Sequence, residues 1–190
     1  MSVYFYDYLD AGSAAFLASK NQIESLNSAA KVMIEALKSG KNIFWCGNGG
    51  SAADSQHLAA ELVGLFRINR KALNSIALTT NSSIITAVAN DFGYESIFSR
   101  QLEALGSDGD VLIAISTSGE SPNIITGLQS AKLFGITTIL FTGINKSAGS
   151  ALADIVLHAQ SNITAHIQEV HIAFGQSLCG KIEDEFFPRV

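Results

Sequence analysis

The sequence predicts an α/β protein in which a five-stranded, mostly parallel sheet has helices on both faces. This is the three-layer αβα sandwich of the flavodoxin-like type, with additional helices at the N-terminus. Five short apolar stretches lack the strict alternation of strands that face water on one side, which is typical of buried parallel strands. Helical stretches separate them, as in repeated βα units. The 190 residues suffice for one full hydrophobic core, so we expect residues 1–190 to form a single domain.

The N-terminal half begins with two predicted helices, over 2–19 and 22–38. In the second, apolar residues recur at helical spacing from Ile23 to Leu37, and Ser39 with Gly40 ends the pattern. A short apolar strand over 42–46 (NIFWC) follows, and glycines come directly after it. A helix over 52–66, a strand over 75–79 (SIALT) and helices over 82–89 and 94–105 complete this half.

The C-terminal half continues the same alternation. The stretch 110–115 (DVLIAI) is the clearest buried strand, because every residue after its first is apolar. Pro122 suits the first turn of the helix predicted from 122 to about 134. Strands over 136–141 (ITTILF) and 154–158 (DIVLH) and a helix over about 163–187 follow. Ligands of such sheets bind where the strands end, which directs attention to the loops after strands one to four.

The composition limits the possible functions. Only 15% of the residues are charged and 47% are apolar, which predicts a large buried sheet together with a large subunit interface. The net charge of −5 argues against direct binding of nucleic acid. No apolar run approaches the roughly 20 residues of a membrane span, and the N-terminal stretch lacks the basic residues of a signal peptide. We expect a cytoplasmic protein with reduced thiols at Cys46 and Cys179.

The loop after the third strand is rich in hydroxyl groups. It reads STSGESP over 116–122 and lies between a buried strand and the start of a helix. Free backbone N–H groups, the positive end of the helix dipole and several hydroxyls can together bind a phosphate without arginine. The alternative is a polar turn in which Ser121 caps the helix.

The loop after the first strand carries three glycines in four residues, over 47–50. Glycine permits positive φ angles and close approach of the backbone to a ligand. The spacing departs from that of a dinucleotide-binding loop, and no acidic residue ends the next strand. A turn that contacts a sugar and a purely structural turn remain equally open.

Two helices carry polar residues at helical spacing. His57 and Glu61 lie one turn apart and share a face, so they could bind a metal, act as a base with its partner, or form a solvated pair. On the last helix, Gln168 and Gln176 lie two turns apart in an otherwise apolar stretch. They could flank a cleft or belong to a half-buried subunit interface.

Four stretches together resemble the SIS (sugar isomerase) domain family, and within it the phosphoheptose isomerases. They occur in the family's order and at its spacing, and they cover most of the chain after the N-terminal helices. They are CGNGGSAADSQHLAAEL at 46–62, ALTTNSSIITAVANDFGYESIFSRQLEALG at 77–106, GDVLIAISTSGESPNI at 109–124 and HIQEVHI at 166–172.

The resemblance implies conversion of sedoheptulose 7-phosphate to D-glycero-D-manno-heptose 7-phosphate through an enediol, for heptose in lipopolysaccharide or capsule. It implies a homotetramer, whose N-terminal helices (1–39) we expect at the subunit interfaces, and one zinc ion per subunit. Glu61 would be the catalytic carboxylate. The implied sugar contacts are Asn48, Gly49, Gly50, Ser51, Glu61, Asn90, Asp91 and Gln168, and the phosphate contacts are Ser116, Thr117, Ser118 and Ser121. The implied zinc ligands are His57, Glu61, Gln168 and Gln176.

Two positions depart from the family pattern. Gln176 stands where the family has a catalytic, zinc-binding histidine, and Leu65 stands where it has a basic residue. A related branch that binds the replication initiator DnaA also lacks this histidine, but it lacks the catalytic glutamate as well. This chain keeps Glu61. A weakened isomerase is therefore expected, and a non-catalytic module that binds sugar phosphate and acts through protein partners is the alternative.

Overall fold

The computed structural model describes residues 3–188 and confirms the α/β class. Its five strands form one sheet in the order β2-β1-β3-β4-β5, and all four neighbouring pairs are parallel. The strands are β1 (Ile43–Gly47), β2 (Ser75–Ala77), β3 (Val111–Ile115), β4 (Thr137–Thr142) and β5 (Ile155–His158). The chain moves outward from β1 to β2 and then returns to the other side of β1 for β3. The switch point of the sheet therefore lies between β1 and β3.

The helices connect the strands as expected, with differences at their ends. They are α1 (Val3–Ala18), α2 (Ile23–Lys38), α3 (Gly50–Val63), α4 (Ser82–Phe92), α5 (Ser99–Leu105), α6 (Pro122–Leu133), α7 (Ala148–Leu152) and α8 (Thr164–Phe186). Position 2, where the first helix was expected to begin, lies outside the described residues. Helix α3 begins two residues before the predicted 52, directly after Gly49, and it ends at Val63 rather than at 66.

Three further boundaries correct the prediction. The strand expected over 75–79 ends at Ala77. The helix expected over 94–105 is shorter, because residues 94–96 form a 3-10 turn and α5 begins only at Ser99. Helix α7 was not predicted, since it has only five residues. It begins at a capping box formed by Ser147 and Ser150.

The sheet has a hydrophobic core on each face. Phe44 and Trp45 are both fully buried, and they enter different cores because successive side chains of a strand point to opposite faces. One core lies under α2, α3 and α8, and the other lies under α5 and α6. Both cysteines are buried in these cores, Cys46 on β1 and Cys179 on α8.

Helices α1 and α4 contribute little to the two cores: α1 places Ala15 in the first, and α4 packs Ile85, Val88 and Ala89 against the second. The side chain of Tyr8 on α1 donates a hydrogen bond of 2.6 Å to Glu169 of α8 and packs against the ring of His166. Otherwise α1 exposes much apolar surface, and Phe5 is 66% exposed. No residue of α4 is fully buried. Within residues 3–188, no helix has both the length and the apolar character that a membrane crossing requires.

Candidate functional site

A small cavity opens at the switch point between β1 and β3. Its volume is about 60 Å³, and both loops that leave these strands contribute to it, together with one residue of α8. The structure thereby brings together six of the residues that the sequence singled out. The lining residues are Asn48, Ser51, Ile115, Ser116, Thr117, Ser121 and Gln168.

The loop 116–121 offers hydrogen-bond donors to this cavity. Within residues 3–188, the backbone N–H groups of Thr117, Ser118 and Ser121 have no hydrogen-bond acceptor. Ser121 stands at the N-cap of α6, but its side chain does not cap the helix, which contradicts the alternative of a capped polar turn. The hydroxyls of Ser116 and Ser118 accept hydrogen bonds from backbone N–H groups of the same loop and can still donate. Free N–H groups at the positive end of a helix, beside such hydroxyls, suit an anion such as phosphate.

The glycine loop 47–50 has structural requirements of its own. Gly49 has a φ of 55°, in the left-handed region that glycine tolerates best. A Cβ atom on Gly47 would lie 2.5 Å from the carbonyl oxygen of Ser51. A Cβ atom on Gly50 would instead lie 2.8 Å from Nε2 of Gln168. Gly47 and Gly49 thus serve the turn, whereas Gly50 leaves space for the glutamine that reaches the cavity.

The side chain of Asn48 bonds to protein groups. It donates to Oδ1 of Asn123 and accepts from Nδ2 of Asn123, both at 2.8 Å, and it accepts from the hydroxyl of Tyr94 at 3.1 Å. Sequence reasoning missed Asn123 and Tyr94. Both lie inside the stretches that carry the family resemblance, but nothing in their spacing shows that they meet Asn48.

Helix α3 supplies a histidine–carboxylate pair. His57 Nε2 lies 2.9 Å from Glu61 Oε1, and the Glu61 side chain is only 19% exposed. Burial raises the pKa of the nearby Asp54 carboxyl, and His57 opposes this rise. Glu61 is therefore partly withdrawn from water, whereas the His57 side chain is 49% exposed.

The C-terminal end of α3 is held by a buried arginine. Arg70 donates to the carbonyl oxygens of Glu61 and Leu62, each at 2.7 Å, and forms an ion pair of 3.3 Å with Glu183 of α8. The side chains of Arg70 and Glu183 are both 1% exposed. These contacts fix the turn of α3 that carries Glu61 against the last turns of α8.

Of the four implied zinc ligands, only His57 and Glu61 are side chains that commonly bind zinc. A zinc ion bound to nitrogen and oxygen at about 2.0–2.2 Å would hold these two atoms roughly 3 Å apart, close to the separation of His57 and Glu61. In the part of the chain that the structure describes, no group of three His, Cys, Asp or Glu side chains could hold a metal. Gln168 and Gln176 would have to contribute amide oxygens, which are weaker donors than imidazole or carboxylate.

Eight of the fourteen predicted site residues do not line the small cavity: Gly49, Gly50, His57, Glu61, Asn90, Asp91, Ser118 and Gln176. Asn90 and Asp91 are exposed at the end of α4, where they hydrogen-bond each other at 2.7 Å. Gln176 is half-buried on α8, beside Gly175, which packs against Leu58 of α3. Ser118 lines a second cavity of about 350 Å³ between the loop 116–121, the loop after β4 and the start of α8. Thr117 borders both cavities.

Comparison with known proteins places the fold and the sequence in one family. A model of the SIS domain matches residues 7–143. The phosphoheptose isomerase of Akkermansia muciniphila is 43% identical over 187 residues, covering 98% of this chain and 99% of the relative. That of Clostridium acetobutylicum is 50% identical over 165 residues, covering 87% and 84%. The solved phosphoheptose isomerase of Neisseria gonorrhoeae superimposes with a TM-score of 0.90 at 36% identity, covering 95% of this chain and 97% of that one.

These matches confirm the predicted resemblance over nearly the whole length of the chain, on sequence and on structure independently. They also favour an isomerase over the non-catalytic module, because the similar proteins carry the name of the enzyme. The chain belongs to the SIS domain family, in its phosphoheptose isomerase branch.

Proposed function

We propose that this protein is a phosphoheptose isomerase that converts sedoheptulose 7-phosphate to D-glycero-D-manno-heptose 7-phosphate. One observation carries the proposal above the others. In a chain that matches phosphoheptose isomerases over 98% of its length, the switch-point cavity combines free N–H groups, hydroxyls and a glutamine. A sugar phosphate needs all three kinds of contact.

The loop 116–121 would bind the phosphate. The unpaired N–H groups and the hydroxyls of Ser116, Thr117, Ser118 and Ser121 can donate to its oxygens at the start of α6. The sugar would then extend toward the first loop and α8. The residues proposed to contact the sugar are Asn48, Gly49, Gly50, Ser51, Asn90, Asp91 and Gln168.

Glu61 would carry out the proton transfer. Isomerisation of a ketose to an aldose needs a base that takes a proton from C1 and returns it to C2 of the enediol. Glu61 is a carboxylate with little exposure, and His57 at 2.9 Å can orient it. Gln176 cannot donate or accept a proton with a useful pKa, so the step would lack a second acid–base group. Loss of such a group commonly costs about 10²–10⁴ in rate.

We further propose one zinc ion per subunit, bound by His57 and Glu61 with amide oxygens of Gln168 and Gln176. When bound, such an ion would polarise the substrate carbonyl. Because binding to a metal lowers the basicity of a carboxylate, the two roles of Glu61 compete, and assays with and without added zinc test this part.

The proposal also includes a cytoplasmic homotetramer that uses its N-terminal helices as interfaces and supplies heptose for lipopolysaccharide or capsule. Its support is the apolar surface of the first two helices, where Phe5, Phe16 and Ile23 are 66%, 43% and 53% exposed. Val3, Tyr4, Tyr6 and Leu9 on the first helix are exposed as well, and clustered exposed apolar side chains are typical of an interface. Sedimentation that returns a monomer at micromolar concentration contradicts the tetramer.

The kinetics of two variants test the proposed reaction. Glu61→Gln should abolish turnover of sedoheptulose 7-phosphate, and Gln176→His should raise it, because the histidine restores an acid–base group. Affinity for the substrate should change far less in both variants. Glu103→Gln, on the exposed surface of α5, is the matched control and should leave turnover unchanged.

The outcomes separate the enzyme from the non-catalytic module. A module would show no turnover in the parent protein and none after Gln176→His. Undiminished activity of Glu61→Gln would remove Glu61 from the reaction.

A further inference from the structure

A ring of amide hydrogen bonds joins the two loops of the switch-point cavity. Asn123, in the first turn of α6, is 1% exposed and exchanges two hydrogen bonds of 2.8 Å with Asn48 in the loop after β1. Each side chain both donates and accepts. The two residues are 75 positions apart in the chain, so only the fold brings them together.

A third segment joins the ring. The hydroxyl of Tyr94, in the 3-10 turn after α4, donates to Oδ1 of Asn48 at 3.1 Å. Tyr94 is 54% exposed, so this hydroxyl is not a buried group that requires a partner. The Asn48 amide thereby connects the glycine loop, the phosphate loop and the segment that carries Asn90 and Asp91.

We propose that Asn123 and Tyr94 are positioning residues that act through Asn48. This inference rests on the proposed function of the cavity. Two parallel hydrogen bonds restrain both the separation and the rotation of the two amide planes. The ring therefore sets the distance between the phosphate loop and the backbone of Gly49–Ser51, and with it the span over which a sugar phosphate must fit.

The ring also changes the part assigned to Asn48. Its amide oxygen already accepts two hydrogen bonds and its amide nitrogen already donates one. Within residues 3–188, only the second N–H of its amide nitrogen stays unused, so in this proposal Asn48 serves the substrate mainly by holding the backbone that follows it. Misplacement of a substrate by about 1 Å can lower a rate by about 10²-fold, so a positioning role has a measurable effect.

A double-mutant cycle on Asn48→Ala and Asn123→Ala tests this proposal. Each single variant should lower kcat/KM for sedoheptulose 7-phosphate by about tenfold to a hundredfold, and the double variant should be no worse than the poorer single variant, because both remove the same ring. Tyr94→Phe should lower it a few-fold. If the two losses multiply, Asn48 binds substrate independently of Asn123 and the proposal is wrong.

A second readout distinguishes positioning from a general loss of structure. In Asn123→Ala, affinity for inorganic phosphate should stay within about threefold of the parent while kcat falls, because the phosphate loop keeps its own N–H groups. Equal losses of phosphate affinity and kcat would contradict the proposal.

Amide hydrogen exchange, measured without substrate, keeps the test independent of turnover. Residues 47–51 should exchange faster in Asn123→Ala and in Tyr94→Phe than in the parent. Asn74→Ala is the control, since it removes an amide hydrogen bond of 3.2 Å to the Gly40 carbonyl away from the cavity. If the ring variants exchange faster at residues 47–51 but the parent shows no turnover, the ring is upheld and the proposed isomerase activity is rejected. Unchanged exchange in both ring variants would reject the ring, whatever the activity.

Discussion

The two edges of the sheet treat their polar groups differently. At the amino edge, the carboxylate of Asp110 accepts from the N–H groups of Asn42 and Ser107 at 2.8 Å each, and that of Asp154 accepts from the N–H and hydroxyl of Thr138. At the carboxyl edge, within residues 3–188, no N–H group of the loop 116–121 donates to a carboxylate. The amino edge satisfies these donors with its own carboxylates. At the carboxyl edge the N–H groups of Thr117, Ser118 and Ser121 stay free among the described residues, although the carboxylate of Glu120 accepts from Ala148.

The difference shows which backbone donors contribute to the stability of the fold and which can bind a ligand. Donors that are satisfied by carboxylates of the same chain stabilise the folded state, and they have no capacity left for a ligand. Donors that remain free at the end of a helix cost some stability and attract an anion from solution. Substitutions at the two edges should therefore have opposite signatures.

The largest expected effect is at the amino edge. Asp110 is fully buried, and Asp110→Ala removes the acceptor of two part-buried hydrogen bonds; it should lower the free energy of unfolding by about 3 kcal/mol, since hydrogen bonds to charged groups contribute about 1.5–3 kcal/mol each. Urea denaturation measures this change. Asp108→Ala, in the same turn but exposed, is the control. Reduced phosphate affinity in folded Asp110→Ala would show that the edges are not independent.

The next effect is at the carboxyl edge. The double substitution Ser118→Ala and Ser121→Ala should weaken binding of a sugar phosphate by several-fold to about a hundredfold, because each lost hydrogen bond to a charged group costs about 1.5–3 kcal/mol before water replaces it. Its free energy of unfolding should stay close to that of the parent. Calorimetric titration measures the affinity, with Ser28→Ala and Ser39→Ala as a control pair on α2 and at its C-terminal cap. Unchanged affinity would rule out this phosphate site.

The smallest expected effect is the loss of sugar-phosphate affinity in Gly50→Ala. Gly50→Ala adds a Cβ atom 2.8 Å from the amide of Gln168, which can move away at little cost because it is the end of a flexible side chain. The protein should be as stable as the parent, since alanine favours a helix over glycine. Sugar-phosphate affinity should fall by about tenfold as Gln168 leaves the cavity, which is about 1.4 kcal/mol. Gly127→Ala, inside α6 with ordinary space, is the control and should keep its affinity.

The fold could be predicted from the sequence because its strands are buried on both faces. The apolar stretches around Trp45 and Ile113 are continuous, so their positions and the α/β class follow directly. Helix α7 was missed because five residues carry no periodicity, and its start depends on a local exchange between Ser147 and Ser150. The break between α4 and α5 was expected, but the 3-10 turn over 94–96 and the late start of α5 at Ser99 were not.

The site could be predicted only as separate segments. The hydroxyl loop and the glycine loop were visible because each lies after a strand, whereas their roles came from the family resemblance. The partners that hold them were not visible. Asn123 meets Asn48, and Arg70 meets the carbonyl of Glu61, through the tertiary fold alone. The roles of Glu61, Gln168 and Gln176 stay predictions until the variants are measured.

The two buried cysteines make local opening of the fold measurable by thiol labelling. Burial raises the pKa of the Cys46 thiol above its ordinary range and that of Cys179 to about 12, so neither forms a reactive thiolate at neutral pH while the packing is closed. The chain contains no other cysteine. The rate at which a thiol reagent labels the protein therefore reports how often β1 or the contact between α3 and α8 opens. A bound sugar phosphate slows that labelling by mass action, which makes occupancy readable without following any reaction.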